Sequence, residues 1–129
     1  MSDPDFPEDL RSFIQEYISS VDSAELLIVL ARDPARKYRL SELIEALRPS
    51  VLSEAAARRH LAHFAAQGFV VSESADVFQY SAATPGLDAA VRALTKVYNE
   101  RPVTLVRMIY APKDEKIRSF ADAFRLKKP

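Results

Sequence analysis

Two glycines serve the whole chain of 129 residues, against eight prolines. Glycine adopts the left-handed and strained backbone conformations that other residues resist. A chain with so few has almost no means of building a glycine-rich phosphate cradle. Gly68 and Gly86 are therefore expected at positions that need them, and the prolines read as sharp breaks between helices.

The apolar spacing fills in those helices. Leu10, Phe13, Ile14, Tyr17 and Ile18 recur at helical period in "PEDLRSFIQEYISS". In "DSAELLIVLARDP", Asp22 and Glu25 are spaced as a capping box, Pro34 stops the helix, and the run from Leu26 to Ala31 predicts burial on most sides. "KYRL" reads as a short extended segment. Ser41 is then a candidate N-cap for a helix with Leu43, Ile44 and Leu47 on its apolar face, ended by Pro49. Ser53 caps the following helix, with Glu54 in its first turn where the helix dipole favours negative charge. Gly68 falls where a helix C-terminus needs a left-handed residue. "FVVSESADVFQYS" reads as a hairpin around a polar turn without glycine. Leu87, Val91, Leu94 and Tyr98 make one helical stripe. Residues 102–110 have β-branched content that suits a strand, but Pro102 suits a first helical position, and helix is favoured. "KDEKIRSFADAFRLKKP" predicts a last amphipathic helix carrying Ile117, Phe120, Ala121 and Phe124.

Composition narrows the function classes. A hydrophobic fraction of 48% and a charged fraction of 28% describe one ordinary domain with a core. Absence of cysteine removes disulfides, thiolate nucleophiles and Cys-based zinc sites. The acidic opening "MSDPDFPEDLRSF" has no apolar h-region, and no apolar run reaches a membrane span, so the cytoplasm is the expected compartment. The net charge of zero hides an uneven distribution. Residues 1–22 carry one Arg against six Asp/Glu, residues 32–63 carry seven Lys/Arg against four Asp/Glu, and residues 101–129 carry eight against three. A neutral total argues against strong non-specific attraction to polyanions and leaves room for a local basic face.

The order helix, short strand, helix, turn, helix, hairpin in residues 22–81 resembles a winged helix-turn-helix of the kind found in bacterial MarR and ArsR regulators. "LSELIEALRPSVLSEAAARRHLAHFAAQGFVV" carries the resemblance. Within it Arg59, His60, Leu61, Phe64, Gly68, Phe69 and Val70 match the family's ending of the third helix. The resemblance implies a mainly α fold with a small β-hairpin: an acidic leader and N-terminal helix (1–21), a winged-helix domain (22–84) and a C-terminal helical extension (85–129). It also implies a sequence-specific DNA-binding transcriptional regulator, acting as a homodimer, with residues 53–67 as the recognition helix.

At roughly 100° per residue, Ala57, Leu61, Phe64 and Gly68 share one side of that helix and are expected in the core. Ala55, Ala56, Arg59, Ala62 and His63 lie opposite, flanked by Arg58 and His60. Small side chains there let a backbone approach base edges, and an arginine can grip guanine O6 and N7 with two hydrogen bonds. Arg59 is the candidate base contact and Arg58 a phosphate contact, with His63 a weaker participant. Ser53 offers its hydroxyl or the helix N-terminus to phosphate. Arg36, Lys37 and Arg39 are further candidate DNA contacts. Against strong binding stands the acidic hairpin tip, where Glu73 and Asp76 face phosphate with no basic residue in "SESAD".

Other chemistries find little support. His60 and His63 have spacing that one ion could span, but no third ligand is evident, and no metal or cofactor is expected. No nucleophile elbow, phosphate loop or HExxH motif occurs, so no enzymatic activity is expected. Glu42 and Glu45 read as a solvated helix face. The helices from 87 to 110, with the first helix, are a candidate dimer interface. Phe120 and Phe124 in "FADAFRLKKP" are candidate contacts for a protein partner. The alternative function is a winged-helix protein-interaction module without DNA binding.

Overall fold

The computed structural model describes residues 8–110. The order is α1 (Glu8–Tyr17), α2 (Val21–Arg32), β1 (Lys37–Arg39), α3 (Leu40–Ala46), α4 (Glu54–Gln67), β2 (Val70–Ser74), β3 (Val77–Tyr80), α5 (Pro85–Glu100) and α6 (Pro102–Tyr110). The described chain is thus mainly helical with one small sheet. The "KYRL" segment does more than extend. It joins the predicted hairpin, giving a three-stranded antiparallel sheet in the order β1-β3-β2. Tyr38 pairs with Phe78, and both side chains are buried. A register irregularity between Ser72 and Ser74 accompanies the hairpin turn.

Helix starts follow side-chain chemistry, in two places not the chemistry expected. Ser20, not Asp22, caps α2. Its hydroxyl accepts the Ser23 N–H, and the Ser23 hydroxyl accepts the Ser20 N–H in return. Asp22 lies inside the first turn, where the dipole still favours it. Glu25 has no part in the cap. It accepts the hydroxyls of Tyr98 at 2.7 Å and Ser50 at 3.4 Å, linking α2 to α5 and to the turn before α4. Nor does Ser41 cap α3, which begins one residue earlier. Arg39 is the N-cap, and the Glu42 carboxylate accepts its N–H at 2.8 Å. Ser53 caps α4 as expected, its oxygen accepting the Ala56 N–H at 3.1 Å. Residues 102–110 form a helix.

The end of α4 shows why one of the two glycines is needed. Gly68 has φ +90°, a conformation costing a side-chain-bearing residue about 1–2 kcal/mol. Its N–H donates to Ala65 O and the Phe69 N–H donates to Phe64 O, which satisfies carbonyls the helix leaves open. The same turn drives Phe69 into the core. There it meets Phe64, Phe13 and Tyr17 edge-on, with ring centroids 6.0, 5.7 and 5.3 Å away. Each such pair contributes about 0.5–1.5 kcal/mol beyond the area it buries.

Around this aromatic centre, α2 is the most enclosed helix, with Ala24, Leu26, Leu27 and Leu30 fully buried. It packs against α3, α4, α5 and β3, while α1 packs against α5 and α6. None of the described helices is long and apolar enough to cross a membrane. The predicted helix with Phe120 and Phe124 lies outside the described residues.

Candidate nucleic-acid interface

Helix α4 is anchored by one face and open on the other. Ala57, Leu61 and Phe64 have no solvent exposure. Ser53, Ala55, Arg58, Arg59, Ala62 and His63 are exposed. Ala56 departs from expectation: it is half-buried and packs against the core, so the open face is narrower by one methyl group. The remaining Ala55, Arg59 and Ala62 fall within about 60° of helical arc, with the arginine between two methyl-sized neighbours.

The cations around this face divide into two sets. Arg58 is held. Its guanidinium donates to Asp76 Oδ1 at 2.5 Å, to the Ala75 carbonyl at 3.0 Å and to Glu54 Oε1 at 3.3 Å. Those acceptors keep its pKa above the ordinary arginine value, the Asp76 bond contributing most. Lys37 pairs with Glu73 across the sheet at 3.4 Å. Arg36 pairs with Glu42 at 3.2 Å and stacks over the Tyr38 ring at 4.3 Å. By contrast, Arg59 and Arg39 form no side-chain ion pair with any described residue.

Glu42 is therefore no bystander on a solvated face. Its bond from the Arg39 N–H, aided by Arg36, lowers its pKa. Glu45 meets the simpler expectation, pairing only with Arg48 on the exposed surface. The turn between β2 and β3 is likewise more than an acidic tip. The Asp76 carbonyl accepts the Leu40 N–H at 2.9 Å while its carboxylate holds Arg58. One residue thus clips the start of α3 and the middle of α4 together.

His60 is half-buried, and burial, then Arg59, lowers its pKa, with Asp22 partly opposing. His63 lies beside Phe64 at 5.7 Å between ring centroids and is exposed. Among the described residues no three metal-ligating side chains converge.

Sequence spacing did not reveal the Arg58–Asp76 pair, because eighteen residues separate its members. The one available signal is opposite charge on two neighbouring predicted elements, Arg58 on the helix and Asp76 in the hairpin turn. No protein-family model matches the chain, and neither a curated protein nor a solved structure matches it.

Proposed function

We propose that this chain is a winged helix-turn-helix regulator that reads duplex DNA through α4, as a homodimer. One observation carries the reading: Arg59 stands exposed, with no counter-ion among the described residues, between Ala55 and Ala62 along the outward face of a helix packed on the core. The element order and the β1-β3-β2 sheet support the same architecture. In such a unit α4 enters the major groove with the β2–β3 hairpin beside it as the wing. Ser53 and Arg39 lie at the helix starts, where phosphate contacts are made. A single α4 brings one free arginine to base edges, so two-fold pairing is needed to double the contacts.

A specific observation favours a second reading, a module that binds protein rather than DNA. The wing is acidic, and Val103, Val106 and Tyr110 leave an apolar stripe on the outside of α6. Selection of bound duplexes from a random pool at low salt separates the two. The DNA reading expects an enriched motif whose affinity falls steeply between about 50 and 200 mM salt. Arg59→Ala is expected to cost about 1–3 kcal/mol on that motif and to relax preference at one position. No retained duplex at low salt leaves the protein-binding reading standing.

A further inference from the structure

Two cations beside α4, Arg58 and Lys37, are occupied by carboxylates of the hairpin itself or of α4. Arg58 takes Asp76, the Ala75 carbonyl and Glu54, and Lys37 takes Glu73. Such contacts are what an arginine and a lysine make to backbone phosphate: charged oxygens at hydrogen-bond distance, the arginine accepting more than one partner in its plane. The carboxylates are themselves exposed, 64% for the Asp76 side chain and 39% for that of Glu73, so neither pair is sealed from solvent. Nor does either acid serve the core.

From these contacts we infer that Asp76 and Glu73 are internal stand-ins for DNA phosphate, occupying Arg58 and Lys37 in the free protein and giving them up when a duplex docks. This rests on the DNA reading of α4 and adds to it two phosphate positions and a built-in competitor. The exchange is one of hydrogen-bond and ion-pair acceptors, with no covalent bond made or broken. Arg58 turns from Asp76 Oδ1 to a phosphate oxygen, and Lys37 from Glu73 Oε1 to another. Both carboxylates then return to water at the edge of the duplex. The cost of that release falls on every complex the protein forms, which holds affinity low despite five cations on this side of the molecule. Arg59, with nothing to release, reads bases without that cost.

The inference predicts a gain of function from removing negative charge. Binding of a mixed-sequence duplex is measured by fluorescence anisotropy across a salt series for wild type, Asp76→Asn, Glu73→Gln, Arg58→Gln and the Arg58→Gln/Asp76→Asn double variant. Asp76→Asn keeps the size and the backbone carbonyl of the clip, and a thermal melt checks that it is folded. Asp76→Asn is expected to bind several-fold more tightly. The slope of log K against log salt is expected to stay the same, because Arg58 meets a phosphate in both complexes. Glu73→Gln is expected to tighten binding through Lys37, which keeps the inference testable if the Asp76 variant does not fold. In the Arg58→Gln background the Asp76 change is expected to have little effect, a non-additivity that marks direct coupling. Equal gains with and without Arg58 would show a diffuse charge effect and overturn the assigned contact. Wild type that binds while both single carboxylate variants bind no tighter overturns the inference and leaves the DNA reading intact. Failure of all variants to bind at low salt removes both.

Discussion

Helices α4 and α6 are alike on the inside and opposite on the outside. Each inserts one apolar face into the core, Ala57, Leu61 and Phe64 from α4 and Leu105, Met108 and Ile109 from α6. On the outside α4 leaves Ala55, Arg59, Ala62 and His63, whereas α6 leaves Val103, Val106 and Tyr110. Folding selects only the inner faces, so the outer ones report what each helix meets afterwards. A small-residue face around one cation suits a charged, grooved partner, and a β-branched and aromatic stripe suits an apolar one.

The largest effects test whether the inner faces are equivalent. Phe64→Ala is expected to cost about 3–5 kcal/mol and Leu105→Ala about 2–5 kcal/mol, read as shifts in the urea midpoint with unchanged slope. If Leu105→Ala costs less than about 1 kcal/mol, α6 is not a packed element and its outer stripe loses its meaning. Next comes the stop that aims α4. Gly68→Ala must hold φ +90° with a new Cβ only 3.1 Å from that of Ala83, a separation that forces a neighbour to give way. It is expected to cost about 1–2 kcal/mol by the same measurement. A neutral result would mean that the chain can leave α4 by another route.

Why some of this was visible in the sequence and some not comes down to range. Ser53, Gly68 and the polar turn of the hairpin act on backbone groups a few residues away, and the cap, the helix stop and the two strands form where the sequence predicts them. Near misses arose where two local solutions competed. Ser20 and Ser23 form a reciprocal cap that Asp22 and Glu25 could equally have formed, and Glu25 was drawn off by Tyr98, seventy-three residues along. Arg39 took the cap that Ser41 could have supplied because β1 ends there, and pairing with Val77 fixes its extended backbone. The angular count put Ala56 outside, but a methyl group at the edge of an arc is assigned by its neighbours, not by its angle. The candidate surface followed the same rule. The exposure of Arg59 was legible because its surroundings are its own helix. The engagement of Arg58 was not, because its partner belongs to the hairpin.

A smaller effect tests the outer faces directly. In a monomer, Val106→Lys on the exposed side of α6 is expected to change stability by no more than about 0.5 kcal/mol. In the proposed homodimer the same change is expected to lower the mass measured by light scattering towards that of one chain. Unchanged mass would move the pairing surface away from α6. It would leave the stripe as scattered exposed valine and tyrosine, which need no explanation. Arg59→Ala, its counterpart on α4, is expected to alter stability by a similarly small amount while affinity for the selected motif falls by about 1–3 kcal/mol. Together the pair separates what the two helices do from how they fold.

The smallest effect is a slope with pH, and it arises on the flank of α4 between its two faces. His60 is half-buried with Arg59 and His63 near it and Asp22 of α2 opposing, and the net result lowers its pKa. The unfolded chain therefore takes up a proton near the ordinary histidine value of about 6.5, before the folded chain does. This contribution to stability is full above that value and declines as pH falls through it towards the lower folded pKa. The urea midpoint is accordingly expected to fall between about pH 7.5 and pH 5.5, and His60→Gln to flatten that part of the decline. An identical decline in the variant would assign the response to other groups. Protonation also adds positive charge next to Arg59, so DNA affinity is expected to rise over the same interval in which stability falls. The glutamine variant should lose both trends together. Loss of only the stability trend would place His60 against α2 but away from the duplex, narrowing the reading face to Ala55, Arg59, Ala62 and His63.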